Sequence, residues 1–285
     1  MPSRAIWHPS GAVRIWDASL EPGISLGQLA GVVCGGCMGK CMERAIDCGM
    51  PRVFLSAQWR DLIIASYGVD PGLLEQRLPD GLELDLFQGQ AVCSLVGFMF
   101  LDTRVLGVAW PGYRDFPEIN LRFYVREQGS GRRGVVFVRE LVRSRFVAQI
   151  ARRLYNEPYV RAEIESEIDQ GETRSVRYGF SSNGGCGMMR VVSAPEHAIP
   201  GEDSTEHWFK EHQWGYGSTR GGRTLRYEVQ HPHWGCHRVH EHEIDVDWGA
   251  IYGDAWSHMA EAEPLSVVHA VGSGIKVFGA ERLVD

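Results

Sequence analysis

From residue 52 onward the chain is a succession of short apolar runs punctuated by turn signals. That punctuation is the mark of strands joined by turns. Strand patterning is legible in "VFLSAQW", "EINLRFYVRE", "RGVVFVREL", "PYVRAEIESEI", "TRSVRYGFS", "GMMRVVSA", "TLRYEVQH", "CHRVHEHEIDV", "LSVVHAV" and "IKVFGAERL". "LELDLFQGQAVCSLVGFMF" reads as two strands of a hairpin joined at Gln88–Gly89. Helices are expected in "VDPGLLEQRLP", where Asp70 and Pro71 suit an N-cap and first turn, in "STEHWFKEHQW" and in "DWGAIYGDAW". A further helix is expected after the N-cap Ser144, with Phe146, Val147, Ile150, Ala151 and Leu154 forming its apolar stripe. So many strands, with helices too few for repeated βαβ units, predict a mainly β (α+β) fold. An antiparallel sheet or barrel with a few short helices fits best, built as one domain over residues 50–285.

Composition excludes several functions. A net charge of −7 and a pI near 5.9 do not suit a general nucleic-acid binder, which needs a basic face to displace counterions. No apolar run approaches the ~20 residues that span a bilayer, and the N-terminus lacks the order of a signal peptide. A cytoplasmic location is expected. Neither G-x-G-x-x-G after a strand nor a phosphate-binding loop occurs, and no cofactor is expected. The G-x-S-x-G elbow is also missing.

Residues 1–49 have little periodicity but hold Cys34, Cys37, Cys41 and Cys48. Thiolates at such spacing could bind zinc or an iron–sulfur cluster, yet the spacing matches no standard site and no histidine is close. The segment reads as a disordered leader or an upstream extension, with Met50 a start for the folded part. Seven cysteines, scattered beyond residue 48, do not form a disulfide framework.

Histidines gather late in the chain. His231/His233 and His240/His242 are each two apart, a spacing that shares one strand face. Pair spacing alone does not make a metal site, and none is expected; the other reading of "HRVHEHEIDVD" is a solvent-facing strand. His212 in "EHQWGYG", flanked by Trp214 and Tyr216, suits a lined pocket better. In "FPEINLRFYVRE", Glu118, Asn120 and Arg122 alternate with Ile119, Leu121 and Phe123. Either this polar row points into a barrel, or it is an outward face in water. A buried Arg with a carboxylate partner costs desolvation, so it points to binding rather than stability.

Taken together, several segments resemble the YqjF-like family of uncharacterised proteins. They are "FLSAQWRDLIIASYGVDPGLLEQRLPDGLELDLFQGQAVCSLVGFMFLDTRVLG", "FPEINLRFYVR", "RGVVFVREL", "ARRLYNEPY", "EHQWGYG", "LRYEVQHPHW" and "AIYG". That family is similar in fold to acetoacetate decarboxylase. The resemblance implies a closed or nearly closed β-barrel with a polar cavity, and by analogy a homo-oligomer is compatible with it. Acetoacetate decarboxylase forms a Schiff base through a buried lysine. The matching stretch here is "RELVRSRF", with Arg143, Ser144 and Arg145 at the equivalent positions. A guanidinium stays protonated and is a very poor nucleophile. The only lysines are Lys40, Lys210 and Lys276, none in a matching motif. Schiff-base chemistry is therefore not expected, whereas Arg139 and Glu140 carry over as pocket residues.

Two functions fit. The barrel could bind a small organic acid or oxo-acid, with Arg139 and Arg122 on the carboxylate, Trp214 and Tyr216 against the carbon skeleton, and Asn120 and His231 as further substrate-binding residues. Or it could be a lyase, hydratase or isomerase without a covalent intermediate, with Glu140 or Glu118 as base and His212 or Tyr155 as acid. A structural or oligomerisation module with a collapsed barrel is the third class.

Overall fold

The computed structural model of the protein describes residues 52–143, 158–219 and 221–283. The four cysteines of residues 1–49, the helix expected after Ser144, and Tyr155 lie outside them. Among the described residues are fifteen strands, three short α-helices and one 3-10 helix. No helix there is long and apolar enough to cross a membrane.

The first strands are β1 (Val53–Gly68), β2 (Leu82–Leu84), β3 (Val92–Val105), β4 (Phe116–Glu127), β5 (Arg133–Val142) and β6 (Tyr159–Arg161). A second group holds β7 (Glu163–Gln170), β8 (Arg174–Ser182), β9 (Gly185–Ala198), β10 (Trp214–Ser218) and β11 (Thr224–Gln230). The chain ends with β12 (Cys236–Val246), β13 (Ser266–Ala270), β14 (Gly274–Phe278) and β15 (Glu281–Arg282). Seven strands close a barrel in the order β1-β3-β4-β5-β10-β11-β14, and β14 returns to β1. All these pairs are antiparallel except β5 with β10. A wing of sheet continues from β1 through β13, β12, β9 and β8 to β7.

β1 belongs to both layers. Its first half, Val53–Gln58, pairs with β14, and its second half, Leu62–Ser66, pairs with β13, while β3 runs along its other edge. The switch falls on a bulge where Asp61 sits at φ 55°, a conformation that Asp tolerates better than most residues. Its carboxylate is ion-paired with Arg174 of β8, and its carbonyl accepts from Tyr178 Oη at 2.9 Å.

Because β1 has sheet on both sides, its second half is buried on both faces. Leu62 and Ile64 point into the barrel, and Ile63, Ala65 and Tyr67 into the core between barrel and wing. Each fully buried Leu or Ile among them is worth about 1.5–3 kcal/mol. β4 divides likewise: Ile119, Leu121 and Phe123 join the outer core and the polar row faces inward.

The helices are brief and locally capped. α1 (Pro71–Glu75) starts from Asp70, whose carboxylate accepts from Gly72 N at 2.7 Å. α2 (Thr205–Lys210) starts from Ser204 and α3 (Trp248–Tyr252) from Asp247. The turn at Gln88–Gly89 has φ of 50° and 84°, as a tight turn requires. It does not make the expected hairpin, however: β2 pairs with β4 rather than with β3.

Candidate ligand-binding site

Inside the barrel is a cavity of about 160 Å³, the size class that holds a molecule such as benzene. One part is aromatic. Trp59 meets Phe98, Phe100 and Trp234 edge-on with ring centroids 5.3, 6.0 and 5.8 Å apart, and Phe100 stacks on Phe116 at 4.9 Å. The rest is polar: Glu118, Asn120 and Arg122 from β4, Glu140 from β5 and Tyr159 from β6.

The strand register explains this grouping. Asn120 is opposite Glu140, and Glu140 is beside Tyr159 on the parallel neighbour, so all three enter from one face. Asn120 Nδ2 donates to Glu118 Oε1 at 3.3 Å, and Tyr159 Oη donates to Glu118 Oε2 at 3.5 Å. Burial pushes the Glu118 carboxyl up to about 7, against the pull of those two hydrogen bonds. Near neutral pH it therefore exists both with and without its proton.

Arg122 Nη2 donates to the carbonyl of Phe209 at the end of α2, at 3.0 Å. Tyr124 Oη donates to the same oxygen at 3.2 Å and continues a buried hydroxyl chain through Ser94 (2.6 Å) to Ser66 (2.7 Å). Among the described residues lining the cavity, Trp59 Nε1, Thr103 Oγ1, Asn120 Oδ1 and Arg122 Nε are buried polar atoms with no hydrogen-bond partner. Buried polar atoms are rarely left so.

Arg139 is not in this chamber. Strict alternation from Phe137, which faces inward, would carry Arg139 inward too. A one-residue bulge intervenes: Leu121 pairs with Arg139 but Arg122 pairs with Phe137, so Val138 is extra and the parity flips. Glu140 turns in and Arg139 turns out, its guanidinium lying 5.9 Å from the Tyr252 ring centre.

Trp214 and Tyr216 also face outward. Tyr216 is in the outer core and donates to Glu127 Oε2 at 3.1 Å, and Trp214 lies under Arg132 and Arg226. His231 stands behind the aromatic wall, its ring tilted at 35° to Trp234 with centroids 4.4 Å apart. His212 is buried beside Tyr124 (4.8 Å) and Trp208 (5.7 Å) without lining the cavity. Burial, then the charges of Arg122 and Arg133, hold it neutral, well below the ordinary histidine range. A neutral imidazole makes a poor proton donor.

His240 and His242 are exposed on β12, in keeping with the solvent-facing reading of that strand. No lysine lines the cavity among the described residues: Lys210 is buried in an ion pair with Glu211, and Lys276 is exposed.

Tyr159 and the aromatic wall were missed in the sequence. "ARRLYNEPYV" offers two tyrosines, and the second, already in strand patterning, is the one that reaches Glu118. The wall was legible in part, since Phe98 and Phe100 alternate with Gly97 and Met99 in "GFMF".

Comparison with known proteins places this geometry. The acetoacetate decarboxylase-like enzyme from Sphingomonas wittichii RW1 superposes with a TM-score of 0.60 at 15% identity, covering 81% of this chain and 94% of that one. The acetoacetate decarboxylase of Legionella pneumophila gives 0.60 at 13% identity, covering 86% and 95%. At such identity the likeness establishes the fold. In sequence, the uncharacterized protein YqjF of Bacillus subtilis is 34% identical over 193 residues, 66% of this chain and 77% of that protein. Residues 56–273 match the DUF2071 family, described as an uncharacterized conserved protein, and the chain belongs to that family.

Proposed function

We propose that the barrel is a binding chamber for a small organic acid or oxo compound with a largely apolar body. The observation that carries this reading is the set of unpartnered buried polar atoms on the residues lining the cavity. Trp59 Nε1 and Arg122 Nε can only donate, Asn120 Oδ1 can only accept, and Thr103 Oγ1 can do either. A carbonyl or carboxyl head would give a donor such as Arg122 Nε an acceptor, while the aromatic rings exclude water around the carbon skeleton.

Only Arg122 supplies positive charge among the described lining residues, against Glu118 and Glu140. An anionic ligand is therefore best accepted while Glu118 keeps its proton, and a neutral carbonyl compound is accepted over a wider pH range. The test is native mass spectrometry of the full chain beside the same sample denatured, followed by titration with short 2-oxo and 3-oxo acids and the matching ketones. An acid-sized retained mass, or stabilisation by these compounds that disappears in Arg122→Met, supports the reading. A chamber that neither retains nor responds to any of them speaks for a structural module. The same native mass gives the subunit count, and more than one copy is the proposed state.

A second reading is acid–base catalysis without a covalent intermediate. Glu118 favours it, because a carboxyl poised near neutrality can both give and take a proton. Tyr159 Oη, at 3.5 Å, is then the nearest hydroxyl to pass a proton to or from it. Glu118→Gln separates the two readings: an enzyme loses turnover and keeps binding, whereas a binding protein is only weakened.

A further inference from the structure

We propose that His207, Glu211 and His233 form a site for a divalent transition-metal ion of the zinc class, outside the chamber and independent of it. The three residues each offer one ligand atom, and these atoms all lie within 4.8 Å of one another. With metal–ligand bonds of ~2.0–2.2 Å, a small rotation of the two imidazoles toward the fixed Glu211 carboxylate brings all three onto one ion.

The fold builds this proximity from two directions. His207 and Glu211 are four apart on the turn that ends α2, where Glu211 N donates to His207 O at 3.1 Å. That spacing sets both side chains on one helix face. His233 arrives from the loop after β11; its ring stacks on His207 at 5.7 Å, and its Nδ1 is 3.3 Å from Glu211 Oε2.

The surroundings suit a ligand carboxylate. The other oxygen, Glu211 Oε1, is held by the ammonium of Lys210, whose side chain is wholly buried. Ligating carboxylates are commonly fixed in this way by an outer partner, which leaves one oxygen aimed at the ion. His231 is nearby, its Nδ1 4.0 Å from Glu211 Oε2, but that nitrogen is 3.0 Å from its neighbour's carbonyl, Pro232 O, and takes no part. Two imidazoles with one carboxylate select zinc, cobalt, nickel or ferrous ions over calcium and magnesium, which prefer oxygen-only shells. Three protein ligands leave a coordination position for water or an exchangeable group. His233 is exposed, so the ion would be reached from solvent.

The test is a cobalt(II) titration of the full chain, read by equilibrium dialysis and visible absorption, beside His207→Ala, His233→Ala and the control His240→Ala. Each of the first two variants is expected to bind one equivalent fewer than the parent, and the control the same number. Cobalt held by the cysteines near the N-terminus would be recognised by thiolate charge-transfer bands, which an imidazole–carboxylate site lacks. Because His233 is exposed, its removal leaves the core intact, and melting without metal confirms this. Equal stoichiometry in the parent and His233→Ala overturns the proposal.

Discussion

Asn120 stands directly opposite Glu140 across β4 and β5, while one step away Leu121 stands opposite Arg139 on the other face. The bulge at Val138 thus decides the charge of the chamber. It admits a second carboxylate and expels an arginine, which leaves Arg122 as the basic group among the described lining residues.

Arg122→Met should therefore weaken binding of a short oxo acid by about 10-fold or more, since a hydrogen bond to a charged group is worth roughly 1.5–3 kcal/mol. The fold should tolerate the change, because Tyr124 still donates to the Phe209 carbonyl that Arg122 also holds. Calorimetric titration beside thermal melting distinguishes the two effects. A variant that melts far below the parent would mean that Arg122 is structural instead.

Glu118 makes stability depend on pH in a stated direction. In the folded chain it keeps its proton to about pH 7, whereas an ordinary glutamate loses it near 4.5. Between those values the folded state binds more protons than the unfolded one, so stability falls as pH rises, and the cost is complete above pH 7. Glu118→Gln carries no such cost. Its stability relative to the parent should rise from pH 5 to pH 8 by up to roughly 3 kcal/mol. Urea unfolding at the two pH values measures this, and an unchanged gap would show that burial does not govern Glu118.

The alternation of Glu118, Asn120 and Arg122 was legible in the sequence because it obeys the strand period and β4 is regular there, but pattern alone left open whether the row faces the barrel or water. Arg139 was not, since a bulge leaves no mark in a run such as "VVFVREL". Trp214 and Tyr216 misled for another reason. The barrel is buried outside as well as inside, by the wing and α3, so an aromatic on a strand does not say which face it takes. Tyr159 and Trp234 reach the chamber from β6 and from the loop after β11, through pairings distant in sequence that no local pattern encodes. The barrel, though not its strand order, came through resemblance and strand count together. The switch of β1 between β14 and β13 was invisible, because Asp61 looks like any polar residue in "QWRDLII".

That switch is held by charge. Arg174 and Asp61 are paired with little exposure, and removing the arginine leaves a carboxylate buried without a counter-charge. Arg174→Ala should cost about 3 kcal/mol. Adding Asp61→Asn removes that stranded charge, keeps a residue that tolerates positive φ, and should recover part of the loss. A double variant less stable than Arg174→Ala alone would show that the pairing is not what matters.

Gly272 locks the same corner sterically. It lies between β13 and β14 at φ 79°, and a Cβ built there would sit 2.1 Å from the carbonyl oxygen of Trp59 and 2.7 Å from Leu62 Cδ1. The first is backbone of the barrel wall, tied by the hydrogen bond from Trp59 N to Ser273 O at 2.8 Å, so it cannot rotate away. Gly89 has nearly the same backbone conformation, φ 84°, but open space around its Cα. Gly89→Ala should thus cost only the conformational strain, about 1 kcal/mol. Gly272→Ala adds the clash and should exceed it by at least ~2 kcal/mol. It also parts β14 from β1 beside Trp59, so the chamber should lose affinity for its ligand. Equal costs at the two glycines, read by chemical unfolding, would mean that the wall yields and the corner is not rigid.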